Sequence, residues 1–196
     1  MFEITTHSGQ SARSFLDEVA DLRIAVFREF PYLYDGSIDY ERDYLSNYFS
    51  SEKSLLIIVK EKSRIVGIST SAPLEEADQA FQSSVLNGGL NPAEMLYFGE
   101  SVLLPEFRGK GIGRRFFDLR EEWALRWGFS VTGFCALERP DEHPLRPADY
   151  RPLHSFWESR GYRKREDLVV KLPWREIGAV EVEIEHDLAF WLRSLA

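Results

Sequence analysis

Residues 95–128 constrain this chain more than any other stretch. MLYFGESVLL, residues 95–104, is long and largely apolar, as in a central strand covered on both faces, and Pro105 closes it. From Gly113 to Gly128 the residues Phe116, Phe117, Leu119, Arg120, Trp123, Ala124 and Trp127 recur at helical spacing, with Gly128 placed as the stop. Between strand and helix lies Arg108-Gly109-Lys110-Gly111-Ile112-Gly113-Arg114. Its three glycines let the backbone approach a ligand and turn N–H groups toward one point. The helix adds the positive end of its dipole and its unpaired first-turn donors. An anion site suited to a pyrophosphate is therefore expected, supplemented by the charges of Arg108, Lys110, Arg114 and Arg115.

Glycine-rich loops serve several chemistries, and spacing separates them. A P-loop needs Gly-Lys followed by Ser or Thr, whereas Lys110 precedes Gly111. A dinucleotide fingerprint needs G-x-G-x-x-G, whereas Gly109, Gly111 and Gly113 give G-x-G-x-G. A turn with a helix cap accounts for one glycine or two. It does not account for three, flanked by four cations, between a buried strand and an amphipathic helix.

The 196 residues, 44% of them apolar, are enough to bury a core as a single domain over 1–196. FEITT reads as a strand. Ser11 is placed to cap a helix over about 12–29, where Phe15, Leu16, Val19, Leu22, Ala25 and Val26 share one face. Pro31 breaks it, and a second helix follows over about 38–50. Residues 55–60 and 64–72 form a hairpin pattern, and a polar helix is expected within 74–90. VTGFCAL reads as a buried strand, 138–152 as a Pro-rich loop, and Pro152 to Arg160 as a short helix. Two strands close the chain, at about 162–172 and 179–192. The sum is α+β (α/β): one mixed sheet with helices on both faces.

No stretch approaches the roughly 20 apolar residues needed to span a bilayer, and MFEITTHSGQ lacks the order of a signal peptide. A cytoplasmic protein is expected, with no membrane partner. The lone Cys135 excludes an internal disulfide and a thiolate-clustered zinc site. His7, His154 and His186 show no metal-ligand spacing, so no metal is expected. A net charge of −8 argues against nucleic acid and favours a cationic partner, although ordinary solubility also accounts for it.

Leu103-x-Pro105-x-x-Arg108-Gly109-x-Gly111-Ile112-Gly113 resembles the acetyl-CoA signature of the GNAT superfamily, an aliphatic residue, x-Pro-x-x, then Arg/Gln-x-x-Gly-x-Gly/Ala. Phe156-Trp157-Glu158-Ser159-Arg160-Gly161-Tyr162 is similar to that family's Phe-Tyr-Glu-Lys-x-Gly-Phe segment, which packs beside the pantetheine arm. The resemblance spans most of the chain, with 95–128 and 153–162 individually diagnostic. It implies the acyl-CoA N-acyltransferase fold, a mixed sheet of about six or seven strands in which two parallel strands splay. It also implies acetyl-CoA as cosubstrate and direct acetyl transfer to the amine of a small molecule or peptide. A catalytically weak acyl-CoA-binding sensor or interaction module is the alternative, and a nucleotide-binding protein is a third reading.

Carried over by motif, residues Arg108 to Arg114 would hold the pyrophosphate, and Phe156 and Trp157 would flank the pantetheine. Backbone groups of Ser101, Val102 and Leu103 would pair with that arm, and the Leu103 N–H would hold the oxyanion. Glu100 is the carboxylate candidate for the base, with Tyr97 its rival. Strict alternation places Glu100 on the opposite face from Tyr97, Gly99, Ser101 and Leu103, unless a bulge re-aims the strand. The family's usual tyrosine acid maps to Trp157, which cannot serve. Ser155 and Tyr150 are alternatives, Tyr162 reads as core, and the family's coenzyme-contacting Asn falls at Tyr150 or Arg151. For the acceptor, the loop bearing Phe30, Tyr32, Tyr34 and Asp35 suits an amine, whereas His143 and Arg146 suit a carboxylate-bearing molecule. Trp174, Phe190 and Trp191 either mark a homodimer surface or finish the core.

Overall fold

The computed structural model describes residues 2–179 and 182–195, apart from the side chain of Asn47. The elements run β1 (Phe2–His7), α1 (Leu16–Phe27), α2 (Ile38–Tyr48), β2 (Leu55–Glu61), β3 (Arg64–Pro73), α3 (Gln79–Asn87), β4 (Met95–Leu103), α4 (Ile112–Arg126), β5 (Val131–Leu137), α5 (His154–Ser159), β6 (Arg163–Arg175) and β7 (Glu183–Ser194). Positions 180 and 181, near the expected start of the last strand, lie outside the described residues.

The expected first helix divides. Residues Gly9–Phe15 wind as a 3-10 helix, and α-helical winding begins only at Leu16. Ser11 is not its cap: its hydroxyl donates to the Ser8 carbonyl at 2.7 Å and closes the entry turn. Similarly, α5 starts at His154, two residues after Pro152.

Seven strands form one sheet in the order β1-β2-β3-β4-β5-β7-β6. Every neighbouring pair is antiparallel except β4 with β5. Alternation in β2 sends Leu56 and Ile58 to a core with α1 and α2, and Leu55, Ile57 and Val59 to a core with α4. α3 packs through Val85 on the Tyr97 face of β4, while Phe98 and Leu96 face α4 and α5. Phe190 and Trp191 are fully buried in β7, so they belong to the core and offer no dimer surface. Tyr162 is likewise core, its hydroxyl within 2.9 Å of Thr132.

Two departures from regular pairing position the site. The β4–β5 ladder covers only Met95–Tyr97 against Val131–Gly133. Beyond it both strands keep their outer partners, β4 to Leu103 opposite Gly67 and β5 to Leu137 opposite Leu188, and a gap opens between them. The second departure is a bulge. Ser69 opposes Ser101 and Ser71 opposes Phe98, so Gly99 and Glu100 together oppose Thr70.

Candidate active site

The bulge decides where Glu100 points. One extra residue resets the alternation, so Glu100 returns to the Tyr97 face, contrary to regular strand geometry. Gly99 is required there: a Cβ would lie 2.6 Å from the Thr70 hydroxyl and 2.9 Å from that of Tyr48. The carbonyls displaced from the ladder find other donors. Ser69 donates to the Glu100 carbonyl at 2.7 Å, and the buried Arg120 reaches the Thr70 and Glu100 carbonyls at 3.4 Å from the opposite face. Burial pulls the Arg120 guanidinium down to about 10, still charged at neutral pH, where it lies over the Phe98 ring at 4.1 Å.

On the Tyr97 face, Arg23 of α1 pairs with Glu100 and with Glu41 of α2. All three are buried, Glu41 completely. Burial lowers the Arg23 guanidinium, but Glu100, Tyr44 and Glu41 outweigh it and hold the group above its ordinary value. Two carboxylates thus share one cation, and Oε1 of each has no hydrogen-bond partner among the described residues. Sequence reasoning missed Arg23 and Glu41. The signal was a cation beside Leu22 on the apolar stripe of α1.

These groups floor a cleft of about 1170 Å³ between the α1–α2 connection, α3 and the β6–β7 hairpin. Tyr32, Tyr34 and Asp35 line it, as expected from sequence, together with Tyr40, Tyr44 and Tyr97. Asp35 is held by Arg28 at 2.8 Å and Arg175 at 2.9 Å. The connection is stitched to β6 by Asp35 N–H to Arg175 O and Ile177 N–H to Leu33 O, each 2.8 Å. Burial, followed by Cys135, Tyr150 and Glu100, raises the Tyr32 phenol to about 12 against the lowering effect of a hydrogen bond with the Leu137 backbone. Burial likewise holds the Tyr97 phenol and the Cys135 thiol well above their ordinary values.

His143 and Arg146 do not join this cleft. Arg146 lines a separate cavity of about 130 Å³ with Phe30, Tyr150 and His154, and it pairs with Asp141 at 3.1 Å. His143 packs against Phe30 at a tilt, with centroids 5.5 Å apart.

The gap opens along the β5 side of β4 and meets this cleft, whose lining takes in Cys135 of β5 as well as Gly99 and Glu100 of β4. Leu104 N–H donates to Val66 O, so alternation turns Val102 toward β3 as well and leaves the backbone of Ser101 and Leu103 facing the gap. Of the three expected backbone partners, Val102 is therefore directed elsewhere. The gap runs to the glycine loop. Gly109 and Gly111 adopt φ of 72° and 82°, and a Cβ built on Gly109, Gly111 or Gly113 would meet nothing within 4 Å. That open space lies at the first turn of α4, where an anion fits. Arg108 is engaged, with Nε on Leu103 O at 3.1 Å and a terminal nitrogen on Glu29 at 2.7 Å. Lys110 lies over the Phe107 ring at 4.9 Å, and Arg114 is exposed. Phe156 packs on Phe117, and Trp157 packs on Phe134 and Trp191, each pair with centroids 5.0–5.4 Å apart.

Two parallel strands that part beside a glycine loop, in a mixed sheet flanked by helices, define the acyl-CoA N-acyltransferase fold. The family model described as Acetyltransferase (GNAT) family matches residues 19–146, and the chain belongs to that family. A putative acetyltransferase from Acinetobacter baylyi superposes with a TM-score of 0.65 at 12% identity, covering 100% of this chain and 92% of that one. The ribosomal-protein-alanine N-acetyltransferase of Brucella melitensis gives 0.63 at 13%, covering 98% and 99%. PaiA N-acetyltransferase from Thermoplasma acidophilum, solved in complex with coenzyme A, gives 0.58 at 12%, covering 99% of each chain. A comparison with curated proteins gives no match. Among the described residues no group of His, Cys, Asp or Glu could hold a metal ion, and no helix is long and apolar enough to cross a membrane.

Proposed function

We propose that this protein is an acetyl-CoA-dependent N-acetyltransferase that transfers the acetyl group directly to an amine of a small molecule or peptide. The observation that carries the reading is Glu100: a buried carboxylate with a free oxygen, facing the cleft, on the strand whose next residue turns its amide to the gap. Bound in the gap with its pyrophosphate on the loop, acetyl-CoA supplies the activated thioester. The loop amides and the α4 N-terminus complement that pyrophosphate. Glu100 takes the proton that the acceptor ammonium must lose before its nitrogen can attack. The Ser101 N–H, adjoining Glu100, is the nearer donor for the oxyanion; that of Leu103 lies closer to the loop. Tyr32 offers its hydroxyl beside Leu137 of β5, where the departing sulfur can accept a hydrogen bond. The single cysteine, buried and free, supports a cytoplasmic setting.

Thiol release from acetyl-CoA against an amine panel tests this. Release that depends on amine and falls in Glu100→Gln is the expected result, and unaltered release in that variant removes Glu100 from the mechanism. One observation favours the sensor reading, namely Trp157 packed where the family places its tyrosine. Tight acetyl-CoA binding without thiol release for any amine would establish it.

A further inference from the structure

The charge of the cleft is lopsided in a way that one amine does not use up. Its wall carries six carboxylates and three cations. Each of those cations is already engaged: Arg23 by Glu41 and Glu100, Arg175 by Asp35, and Lys171 by Glu185 and Asp187. The surplus negative charge falls at two levels. At the floor, Glu41 and Glu100 each keep an unpartnered buried oxygen. At the rim, Glu76, Asp78 and Glu183 are exposed and form no ion pair among the described residues, Asp78 also accepting the Ala80 N–H at 2.8 Å as the N-cap of α3. Tyr40 connects the levels, being within electrostatic reach of Glu41 below and of Glu183 and Asp78 above. Tyrosines line the space between, and their faces accept both methylene groups and cations.

From this arrangement we infer that the acceptor is a small aliphatic amine bearing at least two cationic nitrogens, one delivered to Glu100 and the other held at the rim by Glu76, Asp78 and Glu183. The inference rests on the acetyltransferase reading of the same cleft. A distal ammonium gains Coulomb energy at the rim, a distal methyl gains none, and a distal carboxylate is repelled. The cleft thus discriminates acceptors by the charge at their far end.

The test compares n-butylamine, 1,4-diaminobutane, 1,5-diaminopentane, 4-aminobutyrate and a lysine-containing peptide, both as acceptors and as ligands in calorimetry. The diamines are expected to exceed butylamine about ten-fold in kcat/KM, mainly through KM, with 4-aminobutyrate the weakest. Glu76→Gln combined with Glu183→Gln, both on the surface, should cut the diamine-to-monoamine ratio about ten-fold, and salt should shrink it in the wild type. Equal constants for butylamine and the diamines, or a ratio untouched by the double variant, overturn the inference while leaving acetyl transfer intact. A peptide that outperforms every diamine overturns the small-molecule assignment. If no amine is acetylated, the acceptor role falls with the catalytic reading and calorimetry tests the cleft alone: tighter diamine binding that the double variant loses upholds the two-cation site, and equal binding overturns it.

Discussion

Arg23 in α1 and Glu100 at the bulge of β4 form an ion pair with only 10% and 5% of their side chains exposed, and Glu41 takes the other side of the same guanidinium. Removing the cation would leave two buried carboxylates uncompensated. Arg23→Ala is therefore expected to destabilise the protein by about 3–5 kcal/mol, read from urea unfolding midpoints. A loss below about 1 kcal/mol would show that water reaches the pair.

Glu100→Gln keeps the shape of the side chain and removes its basicity. The acetylation kcat should fall by about 10²–10⁴-fold, with acetyl-CoA affinity little changed, because the coenzyme is proposed to be held by the glycine loop and the β4 backbone and not by this side chain. Initial rates and calorimetry on the same preparation separate the two effects.

Gly111 is the N-cap of α4 with φ 82° and open space around it. Gly111→Glu puts a carboxylate where the loop amides converge, and coenzyme A binding should drop below detection. Stability should fall by only about 1–2 kcal/mol, the ordinary penalty of a side chain in left-handed backbone.

Two tyrosines should respond oppositely. Tyr162→Phe removes a buried hydroxyl shared with Thr132 and Glu121, so it should lower stability by about 1–2 kcal/mol and leave kcat unaltered. Tyr32→Phe, in the cleft, should lower kcat several-fold with little change in melting temperature. The reverse pattern would relocate the hydrogen bond to the departing thiol.

His186 is buried and stacks on Trp174 with centroids 3.7 Å apart, and burial followed by Arg139 lowers its pKa in spite of Glu176. The unfolded chain then binds the proton more readily, so this contribution is complete above about pH 6.5 and is lost as pH falls through the depressed folded value. The melting temperature should drop between pH 7 and 5 more steeply in the wild type than in His186→Phe, by up to about 1.4 kcal/mol of stability per pH unit. Parallel profiles would remove His186 as the cause.

The glycine loop proposed to hold the coenzyme was legible because it depends on local chain geometry. Three glycines after a buried strand and before a helix specify the loop whatever packs around it, and Gly109 and Gly111 adopt the positive φ that this requires. The cleft proposed for the acceptor was legible only in part. Tyr32, Tyr34 and Asp35 come together as expected, yet Asp35 is neutralised by Arg28, seven residues earlier, and by Arg175, 140 residues later in the sequence. Arg146 instead lines the smaller cavity, where Asp141 takes its charge. Trp174 lines the main cleft, while Phe190 and Trp191 are taken up by the core.

By itself the sequence determined the strand, glycine loop and helix of residues 95–128, since periodicity and glycine spacing act within a few residues of one another, and its motifs carried the resemblance to the family. Only the tertiary structure decided the face of Glu100. A bulge is a mismatch in length between two paired strands, here one residue more in β4 than in β3 opposite Thr70, and neither strand read alone contains it. The sharing of Arg23 between Glu41 and Glu100 has the same origin, because a buried charge is set by what the other helices bring to it.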